Sequence, residues 1–320
     1  MRLLITGGSG FIGTHLVDLL LLKGYEFINI SSVAPKKTGH LKFWIKCNLM
    51  DINELRRIFH EFKPEGVIHL AAKTDIGYKS LNDYSVNVLM TKNIIEMVKT
   101  IPSVRKLIIA STQLVHRPGH FPESDDDYEP VNPYAISKVE CEKLVRKSEL
   151  ECCWIIIRPT YIWGPWYPEF RYPIWKLIKR GLYFFPGKRA GTRCYGYVGN
   201  TVRQIEKFLT APDEKVNGKV FYIGDQHMKS IDWVNAFSIA IRGENVKIMP
   251  ETIARASAKI GDVLSNFGIP FILNSYRLNN LLEDYYVPLE PTFNLIGKPE
   301  ITLEQGVIET IEWLKWKKLI

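Results

Sequence analysis

The octapeptide Thr6-Gly7-Gly8-Ser9-Gly10-Phe11-Ile12-Gly13 constrains this chain more than any other feature. It stands between a short apolar run at residues 3–6 and an amphipathic stretch from about Gly10 to Leu22. In that stretch Ile12, Leu16, Leu19 and Leu20 share one stripe, and Gly24 lies past its end. Glycines so placed allow a tight turn and a close approach of backbone to a pyrophosphate, which then rests on a helix N-terminus. Strand, glycine turn and helix together predict the first unit of a dinucleotide-binding sheet.

The pattern then repeats. Short apolar runs at 27–31, 67–70, 107–111 and 154–158, bounded by Gly, Pro or polar residues, read as buried parallel strands. Asp51 and Glu54 open a helix with a capping-box-like spacing, and it stops before Pro64. A long helix at 82–101 carries Val86, Leu89, Met90, Asn93, Met97 and Val98, and another runs from Pro133 to about Leu150. This alternation predicts an α/β fold: a Rossmann-type, doubly wound parallel sheet with right-handed crossovers. Its ligands bind at the carboxyl ends of the strands. After Trp163-Gly164-Pro165 the chain turns aromatic and basic, and Pro168, Pro173 and Pro186 break the periodicity. Coarser helical patterns follow at 230–241 and 252–266, and Thr302 with Gln305 starts a last helix through Trp313. We expect a dinucleotide-binding domain at 1–164 plus about 194–224, and a smaller, mainly C-terminal substrate-binding domain at about 165–193 and 225–320.

Several classes fall away. With 46% hydrophobic and 24% charged residues, the 320-residue chain has an ordinary globular composition, which excludes disorder. No apolar run approaches the ~18–20 residues of a membrane span, and Met1-Arg2 leads into the first strand without a signal-peptide pattern. The five cysteines are odd in number and lack CxxC spacing, so they read as reduced thiols of a cytoplasmic protein. The seven histidines never take a ligand spacing, and no metal site is expected. Asn29-Ile30-Ser31 is a formal glycosylation sequon inside a predicted buried strand and is discounted.

Two further sites carry chemistry. Tyr134-Ala135-Ile136-Ser137-Lys138 puts a phenol and an ammonium on one helix face. The ammonium can lower the phenol's pKa, which a group of ordinary pKa about 10 requires to act as a base near neutrality. Alone, this spacing arises often by chance as a surface pair; its place about 120 residues past the glycine loop favours catalysis. Ser111-Thr112 falls at the carboxyl end of a predicted strand, where a hydroxyl can orient a substrate alcohol or carbonyl or simply close a turn.

Together these residues resemble the extended short-chain dehydrogenase/reductase family, in its nucleotide-sugar epimerase/dehydratase branch. The likeness takes in the glycine loop, His69-Leu70-Ala71-Ala72, Asn87, residues 109–116, 132–138, 158–165 and 193–202, and the tail from Leu295 to Trp313. It implies that Tyr134 is the acid/base on a sugar hydroxyl or ketone and Thr112 its catalytic partner. Lys138 would hold the nicotinamide ribose. The cofactor set it implies is Gly7, Gly10, Phe11, Ile12, Gly13, Ser31, Ser32, Lys36, Asn48, Leu49, Leu70, Ala71, Ala72, Asn87, Tyr134, Lys138 and Pro159. Lys73, Thr112, Gln113, Tyr161 and Arg193 would meet substrate, Arg193 as the arginine that grips a pyrophosphate. A homodimer through the helices of Asn87 and Tyr134 is a further expectation of the resemblance.

The departures from the branch are informative. Dehydratases carry an Asp-Glu pair directly after the catalytic Thr; here Gln113-Leu114 stand there, so a 4,6-dehydratase is disfavoured and a 4-epimerase or 4-keto reductase stays open. Cys194 and Asn200 replace two acids of the Arg-Asp pattern, and Tyr161 replaces an Asn. The second strand ends in Ser31-Ser32 rather than in the acid that binds the adenine ribose of NAD, and Lys36 and Lys37 follow. NADP is therefore favoured over NAD. A sterol or lipid dehydrogenase on the same residues is the alternative, with 183–185 and 313–320 dipping into a membrane; a cofactor-sensing or RNA-associated protein without activity is another. Glu123 and Asp125 to Asp127 suggest a cation site but read as an acidic loop, and Trp163, Trp166, Tyr167, Tyr172 and Trp175 read mostly as core. The net charge of +8 has an address: between Phe170 and Ile205 stand Arg171, Lys176, Lys179, Arg180, Lys188, Arg189, Arg193 and Arg203, without an acid. A basic patch confined to one segment suits an anionic nucleotide sugar better than nucleic acid.

Overall fold

The computed structural model describes residues 1–75, 80–171, 174–267 and 273–320. In chain order the first half forms β1 (Arg2–Thr6), α1 (Phe11–Leu22), β2 (Glu26–Ser31), β3 (Trp44–Lys46), α2 (Ile52–Phe62), β4 (Gly66–His69), α3 (Ser85–Thr100), β5 (Lys106–Ala110), α4 (Pro133–Lys147) and β6 (Cys153–Pro159). There follow β7 (Tyr161–Trp163), α5 (Ile174–Lys179), β8 (Phe184–Pro186), β9 (Thr192–Tyr197), α6 (Val198–Thr210), α7 (Asp213–Val216) and β10 (Lys219–Ile223). The last part holds β11 (His227–Lys229), α8 (Ser230–Arg242), β12 (Lys247–Met249), α9 (Glu251–Asn266), α10 (Ser275–Leu282), α11 (Glu290–Ile296) and α12 (Leu303–Trp316).

Seven parallel strands form the main sheet in the order β10-β6-β5-β4-β1-β2-β3. Strand side chains alternate between the faces, and both faces are apolar. Leu3, Ile5, Ile68, Ile108 and Ile155 pack with Leu16, Leu20, Ile205 and Phe208 of α1 and α6. Leu4, Val67, Leu107 and Ile156 pack with Leu55, Phe59, Ile94 and Val145 of α2, α3 and α4. From β1 the chain steps outwards to β2 and β3, then returns to β4 on the other side. The crevice beyond the ends of β1 and β4 is thus the switch point at which such sheets bind ligands.

Helix starts follow local chemistry. Asp51 caps α2 by accepting from the N–H groups of Asn53 and Glu54, and Thr302 with Gln305 makes a full capping box on α12. The helix expected at 82–101 opens instead as a 3₁₀ turn, Leu81–Tyr84, capped by Ser80, before α3 begins at Ser85. Outside the main sheet, β7, β9 and β11 form a second sheet and β8 pairs with β12. Trp163, Trp175, Tyr195, Trp233 and Phe237 are buried together beside it. Trp163 and Trp175 are therefore core, Trp166 lies against Trp313 and Trp316, and Tyr167 meets the ring of Phe11 at 5.1 Å; Tyr172 and Pro173 lie outside the described residues. No described helix is long and apolar enough to cross a membrane.

Candidate functional site

The glycine loop is built by steric necessity. Gly7 has φ +74°, and a Cβ there would stand 2.7 Å from the Ala71 nitrogen; at Gly13 one would stand 2.2 Å from the Gly7 carbonyl oxygen. The Gly10 N–H bonds that same carbonyl at 2.9 Å. No side chain caps α1, whose N-terminus follows Gly10, so its first N–H groups and the positive helix end are left for an anionic ligand. A dinucleotide pyrophosphate fits this cradle. The sequence reading missed Asn29: its Oδ1 accepts from the Gly8 N–H at 2.9 Å and its Nδ2 donates to Ser9 Oγ at 3.1 Å. A buried amide in an otherwise apolar strand was the available signal.

At the end of β2, Ser31 and Ser32 lead into a loop. The Ser31 carbonyl accepts from Trp44 Nε1 at 2.9 Å, and its hydroxyl from the Val33 N–H at 3.3 Å. Lys36 is exposed. Lys37, the second lysine behind the expectation of a 2′-phosphate, has its Nζ 2.5 Å from Asp18 Oδ2, and His40 holds the other oxygen of Asp18 at 2.8 Å. Asn48 Oδ1 accepts from the Met50 N–H at 3.1 Å, while Leu49 is buried with its carbonyl bonded to Asn93 at 2.8 Å.

Beyond β4, the Leu70 N–H bonds the Thr6 carbonyl at 3.1 Å and the Ala71 N–H bonds Thr6 Oγ1 at 3.2 Å. Ala72 continues this strand end. Thr6 Oγ1 also lies 2.7 Å from Nδ1 of the buried His69; burial first, and the charge of Lys138 second, pull that imidazole down to about 3. It is neutral. Asn87 is buried and its amide is already engaged: Oδ1 accepts from the Lys73 N–H at 2.7 Å, and Nδ2 donates to the Lys73 carbonyl and to Ser137 Oγ, both at 3.1 Å. It braces residues 71–73 against α4. The Lys73 ammonium lies over the ring of Tyr84 at 5.8 Å, and Pro159 closes β6 in register with Ile223.

Asn132 caps α4 through the Ala135 N–H at 2.8 Å and Pro133 fills the first position, which fixes Tyr134 in the first turn. Tyr134 is 8% exposed and Lys138 2%. The Thr112 hydroxyl accepts from the Leu114 N–H at 3.2 Å and lies close enough to the phenol of Tyr134 to favour its ionised form. The phenol's pKa is raised, not depressed as the Lys138 spacing led us to expect. Burial is the largest cause, and Thr112 pulls the other way. The charge of Lys138 is felt instead at His69.

On β9, Arg193 is 7% exposed. Its Nη2 reaches Asn280 Oδ1 at 3.4 Å, its Nε has no hydrogen-bond partner, and its Cζ stands 5.4 Å from the ring centre of Tyr285. No ion pair among the described residues includes it. Tyr161 packs edge-on to Tyr195 and Trp233. The Gln113 carbonyl is bonded by the Tyr285 hydroxyl at 2.5 Å, and Leu114 packs with Cys194, Tyr222, Tyr285, Val287 and Leu289. Asp127 is held by His120 at 2.8 Å and by the Glu123 N–H at 3.0 Å, and no described cluster could hold a metal.

The acids missing at Cys194 and Asn200 have a counterpart that the sequence did not reveal, Asp225. Its carboxylate accepts from the Tyr197 N–H at 2.8 Å and from Asn200 Nδ2 at 3.1 Å, and its carbonyl from Cys194 Sγ at 3.0 Å. Burial lifts its pKa from 3.8 to about 7 against the pull of these bonds. A raised acid stabilises the fold fully below its unfolded value and loses that contribution as pH rises through the folded one. The urea midpoint of the protein, measured against that of Asp225→Asn, should therefore fall between about pH 4 and pH 7. A constant difference would refute the assignment.

A Rossmann-type sheet with a glycine loop at its switch point, and a buried Tyr-Lys helix beside a strand-end Thr, define a short-chain dehydrogenase/reductase of the extended type. The chain belongs to the NAD dependent epimerase/dehydratase family, whose model matches residues 3–224. It is 27% identical to a UDP-N-acetyl-alpha-D-glucosaminuronate decarboxylase of Bacillus cytotoxicus, over 98% of each chain. A dTDP-D-glucose 4,6-dehydratase of Dictyostelium discoideum is 31% identical over 72% of this chain and 60% of its own. Among solved structures, a UDP-glucuronic acid 4-epimerase from Bacillus cereus, in complex with UDP-glucuronic acid and NAD, superposes with a TM-score of 0.76 at 21% identity, over 99% of this chain and 100% of that one. Three reactions share this framework, so the reaction has to be read from the site.

Proposed function

We propose that the protein acts on a nucleotide-activated sugar, as a 4-epimerase or 4-keto reductase. Arg193 carries the reading. A buried guanidinium with an unpartnered Nε is costly to keep, and a diphosphate supplies both the opposite charge and paired acceptors. Its neighbour Tyr285 bonds the Gln113 carbonyl, next to Thr112, which joins the arginine to the Thr112–Tyr134 pair. A sterol or other lipid offers Arg193 no partner. When bound, the nicotinamide would exchange hydride with a sugar carbon. Tyr134 would take or give the hydroxyl proton at its phenol oxygen, Thr112 would donate to that oxygen, and Lys138 would hold the ribose. Water elimination is disfavoured: Leu114 lies in an apolar cluster and Gln113 has no proton to transfer.

For the cofactor, the pairing of Lys37 with Asp18 removes one of the two charges that favoured NADP, and the Bacillus cereus neighbour holds NAD. We therefore propose NAD, with NADP tolerated. The reading further includes the two-domain division at 1–164 with 194–224 against the remainder, a homodimer through α3 and α4, where Leu89 stays exposed, and a cytoplasmic setting suited to the unpaired thiols of Cys47, Cys141, Cys152, Cys153 and Cys194.

Absorbance at the nicotinamide band, with NAD(H) or NADP(H) against a panel of nucleotide sugars and 4-keto sugars, tests the activity; no turnover from the folded protein would sink it. NAD(H) retained on purification would mark an epimerase and an exchangeable reduced cofactor a reductase. Arg193→Met should weaken uridine diphosphate binding by about 2 kcal/mol or more, roughly thirtyfold. The same change should leave thermal stability equal or higher, because it removes an unpaired buried charge. Calorimetry showing unchanged binding would count against the diphosphate site.

A further inference from the structure

We infer that Tyr285 is a positioning residue that sets the Thr112–Tyr134 pair and holds Arg193 at the same time, coupling the diphosphate grip to the proton-transfer site. The inference rests on the reading of those residues proposed above. Tyr285 is buried, lies between α10 and α11, and is 172 residues from Gln113 along the chain. Its hydroxyl stands 2.5 Å from the carbonyl oxygen of Gln113 and 2.5 Å from that of His116. One proton shared between two carbonyls ties the start of the Gln113–Val115 turn to the residue just past its end. Burial drives this phenol's pKa upwards, so the group remains a donor.

That turn follows directly on Thr112, whose hydroxyl caps it and stands beside the phenol of Tyr134, favouring its ionised form. Displacing the turn displaces the hydroxyl on which the phenol of Tyr134 depends. On the other side, the Tyr285 ring lies against the Arg193 guanidinium, with 5.4 Å from Cζ to the ring centre. The Tyr285 N–H bonds the Thr192 carbonyl at 2.8 Å, one residue before that arginine. Hydroxyl and ring therefore serve different halves of the site, and substitution can separate them.

Tyr285→Phe keeps the ring and removes the hydroxyl. It should lower kcat roughly tenfold to a hundredfold, the scale of a small misplacement of reacting groups, while KM and the affinity for uridine diphosphate hold. Tyr285→Leu removes both functions and should raise KM as well. In a Thr112→Val background, Tyr285→Phe should cost nothing more, since the route through Thr112 is already gone; independent effects would multiply. A readout free of turnover is the Cζ carbon resonance of Tyr134, assigned by its loss in Tyr134→Phe. It should move in Tyr285→Phe in the same direction as in Thr112→Val. An unmoved resonance, with kcat unchanged or with a loss that multiplies with Thr112→Val, overturns the inference and leaves the nucleotide-sugar reading intact. A moved resonance in a protein that turns over no nucleotide sugar upholds the positioning role and rejects that reading instead.

Discussion

Tyr134→Phe is expected to lower turnover about 10²–10⁴-fold, the usual contribution of a positioned acid/base, while the protein still folds and binds dinucleotide. The substitution is close to isosteric. The ring keeps its packing against Tyr84, whose centroid lies 6.0 Å away, and only the oxygen facing Thr112 is lost. Because burial raises this phenol and Thr112 lowers it, Thr112→Val should also reduce the rate, through a phenol that deprotonates less readily. The two effects should not multiply, since Thr112 acts on the atom that Tyr134→Phe removes. The measurement is single-turnover absorbance at the nicotinamide band, with dinucleotide affinity followed by protein fluorescence. A Tyr134→Phe enzyme with the parent's kcat would remove Tyr134 from the chemistry altogether.

What the sequence made legible was local. Gly7 and Gly13 are dictated by contacts within one turn and by the strand beside it, so their spacing alone announces the loop. The central strands announce themselves because a parallel sheet covered on both faces needs unbroken apolar runs. The three-residue strands β3, β7, β8, β11 and β12 are too short to carry a period and went unread; the longer β9 and the edge strand β10 of the main sheet went unread as well. The four-residue spacing put Tyr134 and Lys138 on one helix, where both are buried, yet burial raises the phenol's pKa where the spacing led us to expect a depression. The pairings that adjust the site join distant residues: Asp18 with Lys37, Asn87 with Ser137, Tyr197 with Asp225 and Gln113 with Tyr285. Periodicity holds no information about such pairs, because each depends on where separate elements come to rest.

The largest expected effect on stability belongs to Glu142, on the same helix as Tyr134 and about two turns further along. Glu142 and Arg158 are both 0% exposed. Arg158 Nε bonds Oε1 at 3.0 Å and Nη2 bonds Oε2 at 2.7 Å, a bidentate pair. The other guanidinium protons go to His116 Nε2 at 3.1 Å, the Tyr222 hydroxyl at 3.0 Å and the Asp125 carbonyl at 2.6 Å. His116 can accept because burial first, and the charge of Arg158 second, bring its pKa down to about 4. Every N–H of Arg158 is thus satisfied, but among the described residues Glu142 alone is in ion-pair contact with it. Glu142→Ala should cost about 3–5 kcal/mol, the usual penalty for stranding a buried charge, out of roughly 5–15 kcal/mol in total. The double variant Glu142→Leu with Arg158→Met should recover most of it, because removing both charges also removes the cost of keeping them dry. Urea midpoints of the single and double variants measure both terms, and a loss below about 1 kcal/mol for Glu142→Ala would show that water reaches the pair. Turnover of the double variant adds a separate answer. If stability returns while kcat stays low, the pair orients α4, and Tyr134 with it, beyond holding the fold together.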